Sequence, residues 1–338
     1  MKIIVTGGAG FLGSRVVELL LQRLDAGDPP VPFEEIVSLD LAECPVADRR
    51  VRSVVGDVAS PELLEEEVTD DVVGIYHLAA VLSGGSEENF DLAMRVNVDG
   101  TRALLEAARR TGARPRVVFT SSLAVFGGDP PEVVPEEWAE QPDSTYGALK
   151  AVGELLVNEY SRRGYVDGRI CRLPTISVRP GRPNSAASSF ASGIVREPLN
   201  GEAAPCPVPH ETRMWLSSPR AAVANLVRAL EVEGELIGAW RGMNVPGISV
   251  TVGEMLEALE RIGGAEARAL VHDAPDQAVM DIVCSWPGEF EVQRMLELGF
   301  VRDRNVDRLI RQYVEDFAPG AGRPAEEHDD AAPAAREA

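Results

Sequence analysis

The N-terminus constrains this chain most. Residues 2–6 (KIIVT) are a short apolar run rich in β-branched side chains, the pattern of a buried strand. The run stops at Thr6-Gly7-Gly8-Ala9-Gly10-Phe11-Leu12-Gly13, and from Phe11 to Leu24 apolar residues recur at helical spacing. Glycines at 7, 10 and 13 let the backbone turn tightly between strand and helix and approach a pyrophosphate, whose charge meets the N–H groups at the helix start. A glycine triplet by itself is weak, and a plain structural turn is the alternative. Its position between a first strand and a helix is the context that a dinucleotide site demands.

The next strand run, Glu35–Leu39, comes after a loop with three prolines (residues 25–33) and ends at Asp40. A carboxylate there can accept hydrogen bonds from adenosine ribose hydroxyls and would repel a 2′-phosphate, so the expected cofactor is NAD rather than NADP. Asp57-Val58 follows a third strand run, Val51–Val55, where it would meet adenine or, as readily, cap a helix.

Further strand runs lie at Val72–Leu78, Arg116–Ser121 and Gly168–Arg172, alternating with helical patterns over Met94–Arg110 and Tyr146–Arg163. That alternation predicts an α/β chain with a Rossmann-type, doubly wound parallel sheet covered on both faces. After Leu173 prolines and glycines become frequent. Residues 174–213 read as largely loop with one helical stretch, followed by a helix at Arg220–Glu231, a late strand at Met243–Val245 and a helix at Thr251–Gly263. The expected organisation is an NAD-binding domain over 1–173, to which later segments return, and a smaller interleaved C-terminal substrate domain over 174–318. A tail from 319 to 338, rich in Ala, Pro and acid, is expected to be disordered.

The net charge of −21 argues against nucleic acid or an anionic membrane as partner, since both need a basic face. It leaves room for a small anionic substrate, because a few arginines dominate locally inside a cleft. Cys44, Cys171, Cys206 and Cys284 are scattered without a CxxC pair, which fits reduced thiols and a cytoplasmic location. No metal is expected, as the four histidines show no ligand spacing with them. The sequence opens straight into a strand, without a signal peptide or a long apolar span.

Tyr146-Gly147-Ala148-Leu149-Lys150 is Y-x-x-x-K, which on a helix puts phenol and ammonium on one face. Ser122 closes the strand RVVFTSS, at the carboxyl end that faces the ligand crevice. These three suit oxidation of a secondary alcohol, which needs a base at the hydroxyl. Lowering a phenol from about 10 to neutrality takes about 4 kcal/mol. One cation at ~4 Å in an effective dielectric of ~20 supplies about that much. Lys150 is the expected cation, and Ser122 would hold the substrate oxygen against Tyr146. An ordinary amphipathic helix turn is the bland alternative for YxxxK.

Taken together, TGGAGFLG, the YHLAA strand end, Asn97-Val98-Asp99-Gly100-Thr101, FTSSLAVFG, Tyr146-to-Lys150 and Arg172-Leu173-Pro174 resemble the extended short-chain dehydrogenase/reductases, over about residues 1–300. That family includes nucleotide-sugar epimerases and dehydratases. The resemblance implies Ser122, Tyr146 and Lys150 as catalytic, with Asn97 supporting the active-site helix. It implies cofactor contacts from Gly7, Gly10, Phe11, Leu12, Gly13, Asp40, Asp57, Val58, Leu78, Ala79, Ala80, Asn97, Tyr146, Lys150, Pro174 and Thr175. A homodimer through the helices near 94–110 and 146–163 is also implied, although apolar faces there would equally serve the core.

Two departures narrow the reaction. Family dehydratases carry an Asp-Glu pair where this chain has Leu123-Ala124, so no acid/base pair serves water elimination. Arg213-Met214-Trp215-Leu216-Ser217 lacks the Asp and His/Tyr of many nucleotide-sugar enzymes. The segment from Arg172, RLPTISVRPGRPNSAASSFASGIVREPLNGE, instead resembles a branch that oxidises the four-carbon sugar acid D-erythronate at C2, giving 2-dehydro-D-erythronate and NADH. An acid substrate needs cationic and hydrogen-bonding partners. Besides Ser122 and Tyr146, the candidates are Ser83, Arg179, Arg182, Asn184, His210 and Arg213, any of which would otherwise be solvated loop surface. His77 reads as a half-buried packing residue and the tryptophans as core. The competing readings are a nucleotide-sugar 4-epimerase that retains its NAD, and a non-catalytic NAD(H) sensor, which the Tyr-Lys pair disfavours.

Overall fold

The structure, a computed structural model, describes residues 1–182 and 185–318. The expected tail at 319–338 and the substrate candidate Asn184 lie outside the described residues. Among the described residues there are twelve strands: β1 (Lys2–Thr6), β2 (Glu35–Asp40), β3 (Val51–Val55), β4 (Val72–His77), β5 (Arg116–Ser122), β6 (Asp167–Leu173), β7 (Thr175–Ile176), β8 (Ala204–Cys206), β9 (Arg213–Ser217), β10 (Gly242–Asn244), β11 (Ile248–Thr251) and β12 (Val271–Asp273).

Seven of them form one parallel sheet in the order β10-β6-β5-β4-β1-β2-β3. Ile3, Ile4 and Val5 in β1 are all fully buried, so both faces of the sheet are covered. Ile3 and Val5 join Val16, Val17 and Leu20 of the helix Phe11–Asp25 and Leu226 and Leu230 of the helix Pro219–Glu231. Ile4 faces the other way, onto Leu104, Leu105 and Ala108 of the helix Thr101–Thr111 and Val157 of the helix Thr145–Arg162. The strand period of two thus builds two cores. The chain leaves β1 toward β2 and β3 on one side and reaches β4, β5 and β6 on the other. A crevice opens at that reversal, outside the strand ends.

A third core gathers the helices Phe190–Leu199, Val252–Ala269 and Val306–Phe317 around Ile194, Val195, Leu256, Leu259, Leu309 and Ile310. Two small sheets border it, β11-β9-β7 and β12-β8.

Several expectations are corrected. Residues 174–213 hold the one expected helical stretch, Phe190–Leu199, and, besides loop, the unexpected short strands β7 and β8 and the start of β9. Strands of two or three residues carry too little alternation to be read locally, and their partners are distant in sequence. The helical run expected over 94–110 is a π-helix, Met94–Gly100, continuing into the helix Thr101–Thr111. The late strand is β10, and it extends the main sheet beside β6. Only Trp215 is a core tryptophan; Trp138 and Trp240 are exposed, and Trp286 reaches a cavity described below. Among the described residues, no helix is long and apolar enough to cross a membrane.

Candidate active site

At the carboxyl end of β1 the chain enters the glycine loop with Gly7 in the left-handed region, at φ +72°. A Cβ there would lie 2.8 Å from the Ala79 backbone nitrogen, and one on Gly13 would collide with the Gly7 carbonyl oxygen. These two positions keep loop, neighbouring strand and helix start in backbone contact. Asp40, ending β2, accepts the Ala9 N–H at 3.0 Å and the Leu41 N–H at 2.6 Å. Asp57 accepts the Ala59 N–H at 2.9 Å and pairs with Arg95. The helix that follows is capped by Ser60, so Asp57 is not its N-cap.

A cavity of about 500 Å³ runs across the strand ends. One end is lined by Gly7, Gly10, Phe11, Leu12, Gly13, Asp40, Asp57 and Val58, and the middle by Leu78, Ala79 and Ala80. The other end holds Ser83, Ser122, Tyr146, Lys150, Pro174, Thr175 and Arg179. The backbone cradle, the helix start at Phe11 and the carboxylate at β2 together fit a dinucleotide: N–H groups for a pyrophosphate and an acceptor for ribose hydroxyls.

Tyr146 and Lys150 sit at the start of the helix Thr145–Arg162, capped by Ser144, whose hydroxyl accepts the Gly147 N–H at 3.1 Å. Lys150 is 3% exposed and donates from Nζ to the Thr120 carbonyl oxygen at 2.7 Å. It lies 5.7 Å from the Tyr146 ring centroid. Burial draws the ammonium down to about 7, against the charge of Glu154 one turn along. The Ser122 hydroxyl accepts the Ala124 N–H at 3.2 Å, which leaves its proton to point elsewhere.

The electrostatics differ from expectation. Burial pushes the Tyr146 phenol up to about 12, and the influences that oppose it are the Arg179 charge and the hydrogen bond with Ser122. Lys150 is engaged by the Thr120 carbonyl instead, and Arg179 is the cation acting on the phenol.

The remaining predicted residues divide. Asn97 does not line the cavity. It is buried, accepting the Val81 N–H at 2.8 Å and donating to the Val81 carbonyl at 3.0 Å, and so pins a segment that does. Ser83 is buried at the cavity edge and its hydroxyl accepts the Ala187 N–H at 2.9 Å. Arg182 is exposed and off the cavity. Arg213 opens β9 and donates to the Ser249 hydroxyl at 3.2 Å, directed to its own sheet rather than to the crevice. His210 also lies apart, 2.8 Å from Asp273 on the β8–β12 side. There the fold brings ligand atoms of Cys206, His210 and Asp273 within 4.8 Å of one another, a grouping that sequence spacing could not reveal. His77 is fully buried rather than half-buried, its ring between the Thr6 and Thr101 hydroxyls at 2.7 and 2.9 Å, and burial holds it neutral with its pKa near 3.

Sequence reasoning missed Arg95, Ser188 and Trp286, which all line the cavity. No local pattern marks them, since each arrives from a segment distant in sequence.

A model of the NAD dependent epimerase/dehydratase family matches residues 3–229. The chain is 52% identical to "D-erythronate dehydrogenase" of Cupriavidus necator over 94% of its own length and 98% of the relative's. It is 42% identical to the protein of the same name from Haemophilus influenzae, covering 93% of this chain and 99% of that one. Among solved structures, one described as a nucleoside-diphosphate-sugar epimerase from Agrobacterium tumefaciens superposes with a TM-score of 0.87 at 40% identity, over 95% of each chain.

Proposed function

This chain belongs to the NAD dependent epimerase/dehydratase family, and from that premise we propose that it oxidises a small sugar acid, D-erythronate, at its C2 hydroxyl to 2-dehydro-D-erythronate. The observation that carries the reading is the convergence of Ser122, Tyr146 and Lys150 at one end of a cavity whose other end is a dinucleotide cradle. The names of the two relatives at 52% and 42% identity support the choice of substrate.

NAD, when bound, supplies the hydride acceptor. Gly7, Gly13 and the start of the helix at Phe11 would hold its pyrophosphate, and Asp40 its adenosine ribose. Ser122 donates toward the substrate oxygen and orients it. Tyr146 would take the proton of the substrate hydroxyl, the base that oxidation of a secondary alcohol requires. Lys150 lies 5.7 Å from the centre of the phenol ring, and the Thr120 carbonyl fixes its amino group there. Asn97 steadies Val81 at the cavity wall.

The test is to supply sugar acids with NAD and follow NADH absorbance. D-Erythronate should give stoichiometric NADH. Absence of NADH from every aldonate, with turnover of a UDP-sugar, would reject this reading in favour of an epimerase that retains its NAD. The solved relative described as an epimerase keeps that second reading in view.

A further inference from the structure

We propose that Arg179 is the anchor for the substrate carboxylate, and that it thereby selects the hydroxyl on the adjacent carbon for oxidation. The inference rests on the sugar-acid reading above and names the residue that would give it its acid specificity.

The deeply buried arginines are engaged, whereas Arg179 is half-buried. Arg169 pairs with Asp167 at 2.8 Å and donates to the Ala229 and Val232 carbonyls. Arg172 meets Glu154 at 2.8 Å and Glu140 at 2.7 Å. Arg196 meets Glu197 at 2.6 Å. Arg179 differs: among the described residues its guanidinium has no hydrogen bond and no ion pair, yet it lines the cavity that holds Ser122 and Tyr146. Burial disfavours its charge, and no carboxylate compensates. A desolvated, unpaired cation is costly to keep in a fold, and an anionic ligand would relieve that cost.

The backbone is held on both sides. The Arg179 N–H donates to the Ser192 hydroxyl at 3.0 Å, and its carbonyl accepts from Arg196 Nη1 at 2.8 Å. The side chain therefore starts from a fixed point, as a pre-organised anion site requires. The cavity is also polarised. Its lining carboxylates, Asp40 and Asp57, follow from the ends of β2 and β3, whereas the residues that line it after Leu173, Arg179 among them, include no acid. A planar guanidinium takes a carboxylate through two parallel hydrogen bonds. Arg179 also lies near enough to Tyr146 for its charge to favour the ionised phenol. A carboxylate seated on it presents its α-hydroxyl to Ser122 and Tyr146. The class of ligand is a short 2-hydroxy acid, and Arg182, His210 and Arg213 have no part in it.

The test compares D-erythronate with its neutral amide, D-erythronamide, in wild type, Arg179→Met and Arg179→Lys, each with NAD. Arg179→Met should lower kcat/KM for the acid by about 100-fold, mainly through KM, because a charged hydrogen-bonded contact is lost. NAD affinity should stay close to wild type, and the amide, which loses only the Arg179 charge beside the phenol, should fall far less than the acid. Arg179→Lys, which keeps a cation, should retain the preference for acid over amide. Loss of acid and amide in equal proportion, or an unchanged KM for the acid in Arg179→Met, overturns the assignment. If wild type oxidises no sugar acid, the activity reading fails separately, and Arg179 is judged by calorimetric titration of oxalate into the enzyme with NAD. Binding that Arg179→Met abolishes upholds the anchor; equal binding by both, or none by wild type, overturns it.

Discussion

Lys150 Nζ donates to the Thr120 carbonyl oxygen at 2.7 Å, so the last residues of β5 decide where the ammonium sits. The relation ties charge to strand geometry and gives the Tyr146–Lys150 pair a definite proton balance. The phenol stands at about 12 and the ammonium at about 7.

The first proton to leave this pair is therefore lost from the Lys150 ammonium, near pH 7. Oxidation needs the proton-poor form. We expect kcat/KM for oxidation to rise with pH through about 7 and then level off, with the reverse reduction falling over the same range. Lys150→Met should remove that limb and leave weak activity that climbs only in alkali. A flat profile around neutrality in wild type, measured by initial rates of NADH formation, contradicts the assignment.

Tyr146→Phe should abolish turnover while preserving NAD affinity, because it deletes the proton acceptor and keeps the ring. Ser122→Ala should lower kcat by about 100-fold, the usual scale for a lost positioning or proton-transfer group. Near-normal rates in Tyr146→Phe, measured alongside NAD binding by calorimetry, would remove the phenol from the reaction.

Asp40 has two tasks, since the carboxylate that would meet ribose also accepts the Ala9 N–H at 3.0 Å. Asp40→Asn keeps an acceptor for the loop but removes the charge. It should relax discrimination against NADP at modest cost in NAD affinity. Asp40→Ala loses both and should weaken NAD binding by about tenfold or more. Unchanged cofactor preference in both variants, from Kd values for NAD and NADP, takes Asp40 out of the site.

Arg172 joins strand β6 to the helix that carries Tyr146 and Lys150. It bonds Glu154 and Glu140, while Ser121 hydrogen-bonds Glu154, and Glu140 is raised to about 8 by burial and by the charge of Glu154. Arg172 is 2% exposed and Glu154 fully buried. Arg172→Met strands a buried carboxylate and should cost about 3–5 kcal/mol of stability. Urea denaturation measures it, and a loss below about 1 kcal/mol would mean that the pair behaves like a surface contact.

Much of the first half was legible from the chain alone. KIIVT, the glycine triplet and Asp40 are contiguous signals, because strand, turn and phosphate cradle are built from neighbouring residues. Y-x-x-x-K was legible for a similar reason, since one helical turn sets the distance between its members. The second half was not. Strands as short as β7 (Thr175–Ile176) and β8 (Ala204–Cys206) have no local period, and their hydrogen-bond partners lie far along the sequence.

What the amino-acid order determined by itself is the parallel α/β sheet, the glycine turn that links its first strand to a helix, and the presence of a serine, a phenol and an amine whose chemistry suits the proposed oxidation. Tertiary structure alone decided which side chains surround them. It put Arg179 and Trp286 on the cavity, took Arg182, His210 and Arg213 away from it, and turned Lys150 toward Thr120. The physical reason is range. Local spacing fixes hydrogen bonds and faces within one element, whereas burial, ion pairing and cavity walls arise where elements distant in sequence pack together.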